Sequence, residues 1–500
     1  MSQEQIVELG WLRGRSVLVT GAGVSGRATI EPLHDLGALV TVADANPEAL
    51  AECARMGAAT TPIDDLLADR ERLADFALVV TSPGFRPDAP ILSVAAGDGI
   101  PIWGDIEFSW YVDQAGIYGP PRQWLVVTGT NGKTTTTSML QSILDAAEHP
   151  SVACGNIGLP VLDALRESTP RAEVLAVELS SFQLHWAPSV VPAAGAVLNI
   201  AEDHLDWHGG MQPYIDAKSR ALCGEVAVVG LDDEVASSLA SSSPAGRTVG
   251  FRLGVPAPGE LGIEDGYLVD RAFADGARLA HTEGITPPGP AGLMDALAAA
   301  ALARAIGVAP DAVAAGLANH VVGPHRAAYV ADIGGVTFID DSKATNPHAA
   351  RPSILAHERV VWIAGGLLKG ASVDELVHEV ADRLAGAVLL GRDADRIAEA
   401  LARHAPEVPV VSVETGDDAE VIAVPQTTAH RVVLPPDTVS DALMEVVVRE
   451  AAALAEPGDV VVLAPAAASL DMVDSYGHRG RSFVDAVGRL RESDISGNAR

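Results

Sequence analysis

The sequence predicts an α/β protein built of three consecutive α/β domains, each an alternation of buried strands and helices. Three observations carry that prediction. Two strand–glycine loop–helix units, at 16–26 and 125–135, each open a run of βα alternation. A third run starts afresh beyond Val322-Gly-Pro-His-Arg326, which reads as a linker. At 500 residues the chain is also too long for one ordinary core. The expected domains are 1–118, 119–321 and 322–490, with 491–500 a polar, disordered tail.

In the first domain, Ser16-Val-Leu-Val-Thr20 runs into Gly21, Gly23 and Gly26, a G-x-G-x-x-G spacing. The next strand, Leu39–Asp44, ends in an acid. This is Rossmann-like grammar, and taken alone it suits a dinucleotide. A further strand over 76–81 ends in Ser82-Pro-Gly84, a turn at a strand's C-terminal edge.

In the second domain, Leu125-Val-Val-Thr128 runs into Gly129-Thr-Asn-Gly-Lys-Thr-Thr135, and the helix that follows carries Met139, Leu140, Ile143 and Leu144. Backbone N–H groups and a helix N-terminus then converge on one point, which suits a polyphosphate. Lys133 would reach its β- and γ-phosphates, and the Thr134 hydroxyl would hold Mg²⁺. The loop is short, with Val127 where the longer Walker spacing has its first glycine. Glu178 closes the apolar strand Val174–Glu178, either as a Walker B-like Mg²⁺ ligand or as a solvated strand-end acid. After the strand over 194–199, Glu202, Asp203, His204 and Asp206 crowd one loop and could hold a hard cation. Lys218 by itself reads as a solvated helix lysine. Residues 236–290, rich in Ser, Pro and Gly, read as a peripheral β-hairpin region, and an Ala-rich helix is expected from Leu293 to Ile306.

The third domain is expected to place strands at 336–340, 360–364, 387–390 and 460–463. Asp340-Asp-Ser-Lys-Ala-Thr-Asn346 and Gly365-Gly-Leu-Leu-Lys-Gly370 both lie at strand C-terminal edges, where ligands bind in open α/β sheets.

A formal net charge of −32 argues against binding nucleic acid or an anionic membrane surface. Three well-separated cysteines fit a reducing compartment. With neither a secretory signal nor an apolar run long enough to span a bilayer, the expectation is a cytoplasmic enzyme without membrane insertion. A monomer is the expected unit, on no residue pattern of its own.

Together these motifs resemble the Mur ligase family, the ATP-dependent amide-forming enzymes of peptidoglycan synthesis. The resemblance spans nearly the whole chain in motif order. Asp341-Ser-Lys-Ala-Thr-Asn346 is similar to the signature of the branch that joins D-glutamate to UDP-MurNAc-L-Ala through an acyl phosphate. The resemblance implies that the first domain is Rossmann-like and binds UDP rather than NAD, with Val24, Ser25, Asp44 and Gly84 around uracil and diphosphate and Asn156 at the muramoyl group. It implies a P-loop ATPase-like central domain whose Gly129, Thr130, Asn131, Gly132, Lys133, Thr134 and Thr135 bind ATP together with Arg326 and Asp341. Two Mg²⁺ ions are implied, one at Thr134 and Glu178 and one at His204 and Lys218, with Lys218 carbamylated. In the Rossmann-like third domain, Lys343 would position the muramoyl carboxylate, and Thr345, Lys369, Ser469 and Tyr476 would surround D-glutamate. One stretch departs from the family pattern. Gly-x-His-Asn-x-x-Asn is replaced by Gly289-Pro-Ala-Gly-Leu-Met-Asp295, which removes amide contacts near the adenine. The alternatives are another amino-acid ligase of the same fold, against which the first domain and the signature at 341–346 speak, an NAD-dependent oxidoreductase, which would consume no ATP, and a non-catalytic nucleotide-binding regulator, against which Lys133, Glu178, His204 and Lys218 speak.

Overall fold

The computed structural model describes residues 9–415, 429–436 and 438–495, and its strands form three sheets. Most strands are buried on both faces, so they read as continuous apolar runs whose successive side chains enter different cores. Val17 and Val19 enter one cluster while Leu18 enters another. Likewise Val126 shares the cluster of Val17, whereas Leu125 and Val127 face a separate one. One apolar core is therefore common to the first and second sheets. The chain accordingly divides into two compact units, Met1–Ile200 with Trp207–Val321, and Ala201–Asp206 with Val322–Arg500.

The first sheet has five parallel strands in the order Ala59–Pro62, Leu39–Asp44, Ser16–Thr20, Leu78–Thr81, Ile102–Gly104. Chain order reverses between Ser16–Thr20 and Leu78–Thr81, and at such a switch point the loops leaving both strands diverge and open a crevice.

The second sheet has nine strands. Its interior strand Gln123–Thr128 lies between Val174–Glu178 and Ala194–Val197, all parallel. The loop at 129–132 thus leaves the sheet between the ends of the strands that deliver Glu178 and Asn199. Residues 236–290 are a peripheral hairpin only in part. Arg247–Phe251 pairs in parallel with Val226–Gly230, and Glu260–Glu264 pairs in parallel with it in turn. Only Tyr267–Asp270 and Ala277–His281 add antiparallel strands. Val249 and Phe251, both fully buried, draw this segment into the sheet despite its turn-rich composition. The Ala-rich helix is Pro290–Ala305, starting earlier than expected because a proline at its first turn is already preset for the helix.

The third sheet has seven strands, with Val336–Asp340, Val460–Leu463 and Val360–Gly365 side by side and parallel. Ala328–Ile333 is antiparallel at one edge, so the expected linker leads directly into this sheet. The expected disordered tail is corrected at 491–495: Glu492–Asp494 forms a 3₁₀ turn and Ile495 is buried, while 496–500 lie outside the described residues. No helix among the described residues is long and apolar enough to cross a membrane.

Candidate active site

The phosphate loop is built by close approaches that only glycine permits. Gly132, at φ +84°, precedes the helix Lys133–Ala146, and a Cβ there would lie 2.2 Å from Asp295 Oδ1. The loop is cross-tied to the next strand end. Asn131 N donates to Asn199 Oδ1 at 2.9 Å, and Asn199 Nδ2 donates to the Asn131 carbonyl at 3.2 Å. Thr130 Oγ1 lies 2.8 Å from the Tyr214 hydroxyl.

Two lysines meet on this loop. Lys133 Nζ donates to the carbonyls of Gly129 and Thr130 at 2.9 Å each. Lys218, only 1% exposed, donates to the same Gly129 carbonyl at 2.6 Å. It is therefore not the solvated lysine that its sequence context suggests. Glu178 is 2% exposed, and its Oε1 accepts from Asn156 Nδ2 at 2.9 Å. The structure thus brings Lys133 and Lys218 together on one carbonyl, and Glu178 and Asn156 together as a pair. The donors here are hard oxygens, a carboxylate on Glu178 and a hydroxyl on Thr134, which fit Mg²⁺ completed by phosphate oxygens and water. An ammonium on Lys218 does not fit as a ligand unless it is converted to an anionic group.

Asp295 keeps a polar link to this loop, since Thr136 Oγ1 donates to its Oδ1 at 3.1 Å. The departure from the family pattern therefore replaces an amide by a carboxylate that braces the first turn of the phosphate-loop helix.

At the first sheet's switch point lies a cleft of about 570 Å³ walled by Gly21, Gly23, Ser82, Gly84, Phe85 and Arg86. Gly21, at φ +96°, lets the Ser82 side chain pack where its own Cβ would fall. Gly84 is on the wall, as expected, and Val24 is 62% exposed. Asp44 has its oxygens taken by backbone, Oδ2 by Ala22 N at 2.7 Å and Oδ1 by Asn46 N at 2.8 Å. Through the first of these bonds it holds the glycine loop at Ala22. Ser25 hydrogen-bonds Asp105, a residue the sequence reading missed. Burial pushes the Asp105 carboxyl up to about 6, against the hydrogen bonds from Gln183 and Ser25. No motif marks Asp105, because it is an ordinary acid in the first turn of a helix.

In the second unit, Asp341 accepts from Ala327 N at 3.1 Å and from the Ser353 hydroxyl. Burial pushes its carboxyl up to about 6, with neighbouring Arg326 pulling the other way. Lys343 Nζ sits 4.0 Å from the centroid of the Tyr476 ring, so two expected residues meet in a cation–π contact. Lys369, strained at φ +54°, reaches Asp203 Oδ1 at 2.5 Å and His204 Nε2 at 3.4 Å. His204 thus belongs to the unit of Lys369, and Lys218 to the other. Ser469 is 3% exposed in a loop tied back to the turn at 365–367 by Leu367 and Ala468.

Arg479 is another residue missed. It is 1% exposed and donates to Ser342 Oγ and to the carbonyls of Ser342, Gly365 and Ala467 at 2.9–3.3 Å. One guanidinium thereby fixes the three loops that carry Lys343, Lys369 and Ser469. Burial pushes it down to about 10. Its signal was a lone arginine in an amphipathic helix, indistinguishable in sequence from a surface residue.

Comparison with known proteins follows the same lines. The Mur ligase middle domain model matches residues 127–253. The chain is 85% identical over 492 residues to the UDP-N-acetylmuramoylalanine--D-glutamate ligase of Rhodococcus jostii (strain RHA1), covering 98% of this chain and 99% of the relative. It is 64% identical over 488 residues to the enzyme of that name from Nocardia farcinica (strain IFM 10152), covering 97% and 99%. In fold it is similar to the crystal structure of UDP-N-acetylmuramate-alanine ligase from Thermotoga maritima, with a TM-score of 0.55 at 17% identity over 95% of this chain and 99% of that one.

Proposed function

The chain belongs to the Mur ligase family, alongside its UDP-N-acetylmuramoylalanine--D-glutamate ligases, and from that premise we propose that it joins D-glutamate to UDP-MurNAc-L-Ala at the expense of ATP. The observation that carries this reading is 85% identity over practically the full length of both chains. The crowding of Lys133 and Lys218 on the Gly129 carbonyl supports it from the side of geometry.

In the proposed reaction a carboxylate oxygen of UDP-MurNAc-L-Ala attacks the γ-phosphorus of ATP, and the β–γ bridge breaks to release ADP. The amine of D-glutamate then attacks the acyl carbon, loses a proton, and inorganic phosphate leaves as the amide forms. Both steps gather negative charge, so fixed cations are the main lever on the barrier. Lys133 leaves its two loop carbonyls to hold the β- and γ-phosphates, while Gly129, Thr130, Asn131, Gly132, Thr134 and Thr135 present backbone and hydroxyl groups to them. Arg326 and Asp341 complete the ATP contacts. Mg²⁺ would supply further charge neutralisation at the phosphates, held by Thr134 and Glu178, with a second ion held by His204 and carbamylated Lys218. Asn156 orients the muramoyl group, paired to Glu178. Lys343 positions the acyl group, and Thr345, Lys369, Ser469 and Tyr476 receive D-glutamate. Val24, Ser25, Asp44 and Gly84 anchor the UDP end in or around the first-domain cleft. The cytoplasm, where ATP and nucleotide sugars are found, is the proposed location, with a monomer as the working unit.

Phosphate release from ATP in the presence of UDP-MurNAc-L-Ala tests this, with D-glutamate, L-glutamate, L-alanine and meso-diaminopimelate offered separately. Release with D-glutamate alone is expected. Release with another of these overturns the acceptor, and release with none overturns the reaction.

A further inference from the structure

The turn that walls the first-domain cleft is gripped from the neighbouring domain. Trp207 Nε1 donates to the Gly84 carbonyl at 3.3 Å, and Trp186 Nε1 donates to the Phe85 carbonyl at 3.2 Å. Both indoles come from the second domain. Trp186 ends the short helix that follows the Glu178 strand, and Trp207 lies in the helix Leu205–His208. Neither tryptophan lines the cleft itself.

These donors are rigid. His185 packs edge-on to both rings, 4.9 Å from Trp186 and 5.3 Å from Trp207 between centroids, and Phe182 lies 4.6 Å from Trp207. The main chain of Trp186 is pinned as well. Gly104 N donates to its carbonyl at 3.0 Å, and a Cβ on Gly104 would fall 2.6 Å from the Trp186 Cβ. The neighbouring Asp105 accepts from Gln183 Nε2 at 3.5 Å and from Ser25. The brace therefore reaches both loops of the cleft, the turn at 82–85 and the glycine loop at 21–26.

The turn needs such a brace. Gly84 offers no side chain to pack, and a Cβ there would meet nothing within 4 Å. A ligand meeting this wall at Gly84 meets backbone, whose placement is set by whatever holds its carbonyls, and the same placement aims the side chains of Phe85 and Arg86 beside it. Two consecutive carbonyls held by two indoles of one aromatic cluster fix the turn in position and in rotation.

We propose that Trp186 and Trp207 are positioning residues of the nucleotide-sugar cleft, so that the second domain sets the affinity of the first for UDP. This rests on the reading of the cleft as the UDP-sugar site. The test is calorimetric titration of UDP, and of UDP-MurNAc-L-Ala, into the full-length chain and into Trp186→Phe, Trp207→Phe and the double variant. Phenylalanine keeps an aromatic ring in the cluster and removes only the N–H donor. Each single variant is expected to bind UDP about 5-fold more weakly and the double about 20-fold, the scale of one and two lost hydrogen bonds. ADP titrated into the same preparations should bind as it does to the parent, because phenylalanine keeps the ring contact by which Trp207 meets His208 and, beyond it, the Tyr214 that touches Thr130. Unchanged UDP affinity in the double variant overturns the proposal, as does a parallel loss of UDP and ADP affinity, which marks general loosening. A parent chain that binds ADP but no UDP overturns the assignment of the cleft itself. Should Trp207→Phe fail to fold, Trp186→Phe alone carries the same expectation.

Discussion

Two loops in this molecule share one sequence grammar and differ in what surrounds them. Gly21–Gly26 and Gly129–Gly132 each leave the end of a buried parallel strand and each open a helix. Around the first, a carboxylate meets the loop: Asp44 accepts from Ala22 N, and the cleft beyond is open. Around the second, the Lys133 ammonium and the Lys218 side chain converge on Gly129. A glycine loop followed by a helix supplies N–H donors and a positive helix end in both cases. The fixed ammonium of Lys133 beside the second loop would supply the charge that a departing γ-phosphoryl needs, whereas the first loop would hold a ligand by backbone donors alone.

The comparison breaks most sharply at Lys133. Lys133→Ala should lower kcat by about 10³-fold or more, the scale of removing a fixed cation from a developing charge, with UDP affinity retained. A variant that keeps turnover removes the second loop from the chemistry. Next comes Lys218→Ala, for which turnover should vanish and return in part with short-chain carboxylates such as formate or acetate. Full activity without them sinks the carbamate.

At the first loop the expected effect is smaller. Asp44→Ala removes a charged acceptor of two backbone N–H groups and should raise the KM for the UDP-sugar roughly 10-fold or more, leaving that for ATP near its parent value. The reverse pattern in steady-state kinetics reassigns the two domains.

The smallest effect is on stability, at the brace between the domains. The Asp105 carboxyl is raised by burial from 3.8 to about 6. Folding therefore favours its protonated form. Its contribution is fully present below the unfolded value and is lost as pH rises through about 6. Compared with Asp105→Asn, the parent should gain about 1.4 kcal/mol between pH 8 and pH 5, one pKa unit of linkage. Denaturant unfolding of both chains at the two pH values checks this, and a difference independent of pH overturns the raised carboxyl.

Much of the fold was legible in the chain because fully buried parallel strands leave unbroken apolar runs, as at Val174–Glu178 and Val360–Gly365. The strand Arg247–Phe251 was not, because it lies among turn-forming residues and only its alternate buried side chains mark it. The phosphate loop, Glu178 and the segment at 340–346 stood out because unusual residue types crowd a strand end. Arg479, Asp105, Trp186 and Trp207 did not. Each is a common residue whose importance lies in a partner 78 to 137 positions away or in a neighbouring domain.

What the sequence determined by itself is the order of the three α/β runs and the strand–glycine turn–helix units that open the first two, since strand, glycine turn and helix are local and set by adjacent residues. Only the tertiary structure decided which charges face those loops. Lys218 lies 89 residues from Gly129 and Asp295 lies 159 from Thr136, separations at which residue spacing carries no geometric information until the chain is packed.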